Sequence, residues 1–186
     1  IGWLEKRHGW KIEKEWITHS PGIVAAINFA IQEFTEIGDK IMVQTPVYHP
    51  FFESVELNGR EVVNSQLINV NGRFEIDFSD FETKIASGVK LFLLCNPHNP
   101  VGRVWTKTEL EKIGELCQKY DVLILSDEIH SDLIFKGFKH IPIAKLSPEI
   151  SARTISCFAP SKTFNIAGLY ASAIVVENEE IRSRYN

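Results

Sequence analysis

The hydrophobic positions of this chain follow two rhythms that alternate along it. Short runs are apolar on successive residues, as in Leu91-Phe92-Leu93-Leu94 and Val122-Leu123-Ile124-Leu125. A strand with that pattern is apolar on both faces, the condition of a central strand in a parallel sheet. On this basis the strands are 16–19, 40–44, 61–65, 90–95, 122–126, 154–158 and 172–176. Helical spacing fills the intervals. Thr106-Lys107-Thr108-Glu109 is a capping box, in which Thr106 accepts from the Glu109 amide while the Glu109 carboxylate reaches back. Leu110, Ile113, Leu116, Cys117 and Tyr120 then mark one apolar stripe. Ser20-Pro21-Gly22 opens another helix, with Ser20 expected as N-cap and Pro21 at the first helical position. That helix is apolar almost all round, from Ile23 through Phe29 to Ile31, and is expected to be largely buried until Gly38-Asp39 ends it. The alternation predicts an α/β fold: three layers, α/β/α, around a mostly parallel seven-stranded sheet. Ligands in such folds bind at the carboxyl ends of the strands.

Composition narrows the classes. The 186 residues are 44% hydrophobic, 24% charged and 11% aromatic, too apolar for disorder. A chain of this size buries roughly 70% of its unfolded surface and needs no disulfide or metal staples. Its net charge of −4 speaks against nucleic-acid partners and a polybasic membrane-surface role. No apolar run approaches the roughly 20 residues that cross a bilayer. Cys95, Cys117 and Cys157 are odd in number, widely spaced and set among apolar neighbours. They read as buried free thiols in a reducing cytoplasm, not as a disulfide framework or a zinc site. The chain opens at Ile1 and stops at Asn186 inside a polar, helical stretch. It therefore reads as a piece of a larger protein.

The unusual residues lie just past predicted strand ends. They are Thr45-Pro46-Val47-Tyr48-His49-Pro50, Asn96-Pro97-His98-Asn99-Pro100-Val101-Gly102, Asp127-Glu128-Ile129-His130 and Ala159-Pro160-Ser161-Lys162-Thr163-Phe164-Asn165. Singly, each has an ordinary reading: Asn-Pro as a turn, Asp as a helix cap, Tyr as packing, Lys as surface. Together they place an acid, an amide, an aromatic and a lysine over one crevice. One run, Val122 to Glu128, is similar to a Walker B strand, but a Gly-x-x-x-x-Gly-Lys-Ser/Thr loop is not found in this chain.

On Asn96-Pro-His-Asn-Pro-Val-Gly-Arg103, Ser126-Asp-Glu-Ile-His130 and Ser161-Lys-Thr-Phe-Asn-Ile-Ala-Gly-Leu169, the chain resembles the large domain of the fold type I, pyridoxal-phosphate-dependent aminotransferases, supported by Thr45-Pro-Val-Tyr-His-Pro-Phe51. Within that superfamily it resembles the cystathionine β-lyase, or C–S lyase, branch. The resemblance implies the role of each residue. Lys162 aligns with the lysine that joins the pyridoxal phosphate aldehyde through a Schiff base, for which the amine must be desolvated enough to be neutral. Asp127 aligns with the carboxylate facing the pyridine nitrogen, Asn99 with the amide donating to the phenolic oxygen, and Tyr48 with the ring-stacking aromatic. Phosphate binding falls to Gly22 and Ile23 at a helix N-terminus, with Ser161 able to add a hydroxyl. His130 stands where many members carry a tyrosine, as in the C–S lyase branch. Ala159 and Tyr170 stand where Ser or Thr and an arginine are frequent. Residues 1–186 are then the cofactor-binding large domain, without the family's N-terminal segment and C-terminal small domain. The implied activity is α,β-elimination of a cysteine-type amino acid to pyruvate, ammonia and a thiol, in a cytoplasmic homodimer. Transamination is the close alternative, and a non-catalytic regulatory protein on the same fold the remote one.

Overall fold

The computed structural model describes residues 1–186. In chain order it runs α1 (Gly2–His8), β1 (Ile17–Ser20), α2 (Ile23–Phe34), β2 (Lys40–Val43), α3 (Pro50–Leu57), β3 (Glu61–Asn64), β4 (Ile68–Val70), β5 (Arg73–Glu75), α4 (Phe78–Ile85) and β6 (Val89–Cys95). It continues through α5 (Lys107–Lys119), β7 (Leu123–Asp127), α6 (Pro148–Ser151), β8 (Thr154–Phe158), α7 (Pro160–Thr163), β9 (Ser172–Val175) and α8 (Glu179–Tyr185). Seven strands form one sheet in the order β1-β9-β8-β7-β6-β2-β3. All neighbours pair in parallel except β9, which opposes both β8 and β1. The sheet is therefore mostly parallel, and six of its strands point their carboxyl ends to one edge.

Period-2 alternation splits each central strand between two cores. Leu91, Leu93 and Cys95 of β6 face the cluster built with Ile27, Ile31 and Phe51, beneath α2 and α3. Phe92 and Leu94 face the opposite cluster, with Phe81, Leu110, Ile113 and Ile150 of α4, α5 and α6. Two apolar faces need two helical layers, so the three-layer arrangement follows from the strand runs. The α5 capping box is present on both sides, with Glu109 N 3.2 Å from Thr106 Oγ1 and Thr106 N 2.7 Å from Glu109 Oε2. The three cysteines are buried and free.

Three expectations are corrected. Ser20 is not the N-cap of α2 but the last residue of β1, and its hydroxyl donates to the Gly22 carbonyl at 3.1 Å. Gly22 occupies the cap at φ 93°, a left-handed conformation that suits glycine. Pro21 thus lies outside the helix. Nor is α2 buried all round, because Val24 and Phe29 face outward. Beyond these three, a small hairpin that the sequence reading did not name joins β4 and β5 through Asn71-Gly72, both at positive φ, the geometry of a two-residue turn. No helix is long and apolar enough to cross a membrane.

Candidate active site

Loops leaving β1, β2, β6, β7 and β8 meet at the shared edge of the sheet. Gly22, Ile23, Tyr48, Asn99, Asp127, His130 and Lys162 all line a single cleft there. Every residue singled out from the sequence is thus in one place. Cys95, Ile129, Ser161 and Tyr170 complete much of the lining.

Asp127 closes β7, in register with Cys95 of β6 and Cys157 of β8. Its carboxyl is buried, and Oδ1 accepts from the Ile129 amide at 3.0 Å. Burial pushes its pKa up to about 7, and the Glu128 charge adds to this. The Ile129 hydrogen bond and the positive charge of Lys162 pull the other way without prevailing. Lys162 acts on this acid through its charge but makes no ion pair with it. The neighbouring Cys95 and Cys157 thiols are raised too, first by burial and then by the Asp127 charge.

Asn99 is held by backbone contacts rather than by its own side chain. Its amide donates to Cys95 Sγ at 3.4 Å, and the same thiol lies 3.3 Å from the Pro97 carbonyl. Below the loop, Arg103 donates to the Phe74 carbonyl and to Glu109, and lies 4.5 Å above the Trp105 ring. These contacts leave the Asn99 carboxamide free to face the cleft. His130 is half-buried, and burial, followed by the charge of Lys162, holds it below the usual histidine range. A neutral imidazole offers one donor and one acceptor. Tyr48 is 45% exposed, so one ring face is open to a planar ligand.

Phosphate-sized anions are suited to the head of α2. Its first-turn amides have no intrahelical partner, and the helix dipole favours negative charge. A Cβ on Gly22 would meet nothing closer than Tyr170 Cδ1, at 4.0 Å, so the approach is open. Tyr170 itself adopts a left-handed conformation, φ 46°.

Lys162 departs from expectation in one respect. It lies on α7, a one-turn helix with no buried residue, and is itself solvent-exposed. The desolvation expected of it is not supplied by this chain. The physical reason is local: Phe164, Leu169 and Tyr170 beside it are also exposed, so nothing in these residues roofs the turn. A larger cleft, lined by Arg73, Arg103, His130, Phe135 and Phe138, adjoins through Asn99 and His130. The sequence offered no sign of it, because Arg73 and Phe135 are distant in the chain and belong to no motif.

A parallel sheet with an acid, an amide, an aromatic and a lysine at its carboxyl edge defines a class of ligand-binding α/β proteins. The sequence family of class I and II aminotransferases matches residues 2–186, and the chain belongs to that family. It is 51% identical, over all 186 residues, to cystathionine beta-lyase PatB of Bacillus subtilis. The solved structure of cystalysin from Treponema denticola, which contains pyridoxal 5'-phosphate, superposes with a TM-score of 0.97 at 42% identity over 99% of this chain. A PLP-bound putative aminotransferase from Clostridium difficile 630 superposes with a TM-score of 0.98 at 53% identity over 100% of this chain. The chain spans about half the length of these relatives: 48%, 47% and 48% of each in turn.

Proposed function

We propose that these residues form the large, cofactor-binding domain of a pyridoxal-phosphate-dependent C–S lyase of the cystathionine β-lyase type. It cleaves a small cysteine-type amino acid to pyruvate, ammonia and a thiol. The observation that carries this reading is the convergence of Lys162, Asp127, Asn99, Tyr48 and His130 on one cleft at the head of α2. The 51% identity to a cystathionine beta-lyase supports the lyase branch.

The donor set fits the cofactor. Asp127 is a buried acid without an ion-pair partner, its pKa raised to about 7, and a protonated pyridine nitrogen is the partner that would keep it ionised. The unpaired amides at Ile23 and the open approach over Gly22 suit a phosphate, with the Ser161 hydroxyl at the same cleft. Asn99 and a neutral His130 supply polar groups for the phenolic oxygen. Tyr48 would cover a ring face, and Lys162 would hold the cofactor covalently through Nζ. When bound, pyridoxal phosphate supplies an electron sink that makes the substrate Cα acidic.

The residues then divide the work. Asp127 would sustain a positive charge at the pyridine nitrogen. Lys162 Nζ is the base placed to take the proton from the substrate Cα and to carry it within reach of the sulfur on Cβ. The C–S bond breaks with its electron pair on sulfur, which takes up a proton as thiol. Water then releases the three-carbon remainder as pyruvate and ammonia. Transamination is a second reading, favoured by the likeness to a putative aminotransferase at 53% identity. It uses the same proton abstraction but requires a keto-acid acceptor. The exposed Phe164, Leu169 and Tyr170 around Lys162 support a homodimer in which a second subunit roofs the site. Three buried free thiols support a reducing, cytoplasmic setting.

The test is pyruvate release from cystathionine by the full-length protein with no keto acid added. Pyruvate release at a rate that added keto acid does not raise is expected, together with loss of the visible cofactor absorption band in Lys162→Ala. Strict dependence on a keto acid would establish the aminotransferase instead.

A further inference from the structure

The helix that carries Lys162 is poorly anchored by ordinary means. α7 is one turn long, has no side-chain N-cap and buries none of its residues. Its own backbone bonds are few: Phe164 N to the Pro160 carbonyl, and Ile166 N to the Ser161 carbonyl. A single side-chain hydrogen bond joins it to another element, from Thr163 Oγ1 to Asp132 Oδ2 at 3.0 Å.

Asp132 is built to hold that bond. Its side chain is only 7% exposed. Oδ2 also accepts from Trp3 Nε1 at 2.9 Å, while Oδ1 accepts from Arg7 Nε at 3.1 Å and lies 3.5 Å from His8 Nε2. Trp3 in turn sets its ring 5.2 Å from that of Phe164, the residue that ends α7. One carboxylate therefore gathers α1 and α7. It also stands on the loop that leaves β7, five positions after Asp127 and two after His130.

We infer that Asp132 and Thr163 are positioning residues for Lys162. Asp132 clamps the turn bearing the amine to the loop that follows the acid's strand, so that both sit in one frame. This rests on the reading of the site given above. Neither residue lines the cleft that holds Lys162 and Asp127, so neither touches the reacting atoms. A clamp of this kind matters because a lysine that must reach Cα loses rate steeply with small misplacement, up to about a hundredfold for 1 Å.

The experiment uses the full-length protein with pyridoxal phosphate and cystathionine. Thr163→Val keeps the shape and removes the hydroxyl; Thr163→Ser restores it. Thr163→Val is expected to lower kcat about tenfold with KM within about twofold, and Thr163→Ser to recover within about twofold of wild type. Borohydride capture of pyridoxal phosphate on Lys162, read by peptide mass, is expected to fall in the valine variant and return in the serine variant. Asp132→Asn combined with Thr163→Val should be no worse than the more damaging single variant, since both break one link. Hydrogen exchange of the residue 161–166 amides in cofactor-free protein reads the clamp independently, and is expected to quicken in Thr163→Val. Unchanged exchange, or wild-type capture and kcat in Thr163→Val, overturns the clamp. Wild-type protein that captures no pyridoxal phosphate overturns the functional reading, and the role of positioning Lys162 with it, even where exchange shows the contact to be real.

Discussion

His98 sets its Nε2 2.9 Å from the carbonyl oxygen of Pro46 and so ties the loop of Asn99 to the loop of Tyr48. The ring is 2% exposed and packs edge-on against Trp105 at 5.4 Å. His98→Ala leaves the Pro46 carbonyl without its donor and opens a void beside Trp105. A loss of about 2–4 kcal/mol is expected, which lowers Tm by roughly 5–10 °C in a chain of this size. His98→Gln, which can still donate, should lose less. Thermal denaturation followed by circular dichroism decides it; a shift below about 2 °C would show that the two loops are held by other means.

Acid should weaken the fold in part through the same residue. Burial is the main cause holding both His98 and His8 down to about 4, well under the usual histidine value. Between about pH 6.5 and 4 the unfolded chain binds more protons than the folded one. Their contribution is intact above that window and is lost as pH falls through it. His98 alone accounts for on the order of 3 kcal/mol across it. The margin by which wild type exceeds His98→Gln in urea denaturation should therefore shrink from pH 7 to pH 4.5. A constant margin would mean that His98 does not titrate in this range.

Asp127 acts in the opposite sense. Its folded pKa of about 7 lies above the ordinary carboxylate value because of burial, so the folded chain carries the extra proton below pH 7. Above pH 7 a buried, unpaired anion burdens the fold. Asp127→Asn should therefore stabilise the cofactor-free protein at pH 8, by on the order of 2 kcal/mol, while the gain fades near pH 4. On the function proposed above, the same variant in the full-length protein should lose at least about a hundredfold in pyruvate release, because asparagine would have no negative charge to hold a ring cation. Denaturation at the two pH values, set beside the pyruvate assay, reads both halves. Destabilisation at pH 8 would contradict the buried-anion account.

Gly114 in α5 faces the side chain of Ile150 in α6. A Cβ placed there would come within 2.6 Å of Ile150 Cγ1, closer than real contacts allow. Alanine is the better helix former by about 1 kcal/mol, yet overpacking costs about 1–3 kcal/mol in a full core. Packing should win: Gly114→Ala is expected to destabilise, and Ile150→Val in the same chain to recover part of the loss. A raised Tm for Gly114→Ala alone would show that Ile150 moves aside freely.

The parts of the fold legible in the sequence were those governed by neighbouring residues. β6 and β7 announce themselves because both faces are apolar, and the α5 capping box because its partners lie three residues apart. α1 left no stripe to read, since it buries only Leu4 and His8. The β4–β5 hairpin did carry an Asn-Gly turn signal, but Ile68–Val70 and Arg73–Glu75 are only three residues each, too short for an alternation to stand out. Hydrophobicity alone could not say that Val24 and Phe29 would face outward, because an apolar side chain is the same on either side of a helix. In the candidate site, residues named by motif were brought to one cleft because each motif follows a strand of common direction. The Asp132–Thr163 contact joins elements far apart in the chain, and no local pattern encodes it.

The reversed strand β9 has a bearing on how the lysine segment can be exchanged between proteins. That segment departs from the sheet after Phe158 and returns before Ala173, and these two residues are paired across β8 and β9. Its two ends are thus fastened side by side to one rigid support. Such a loop is a natural cassette: swapped whole between relatives, it should seat without disturbing the strands beneath, with Asp132 and Trp3 as contacts the donor sequence must match.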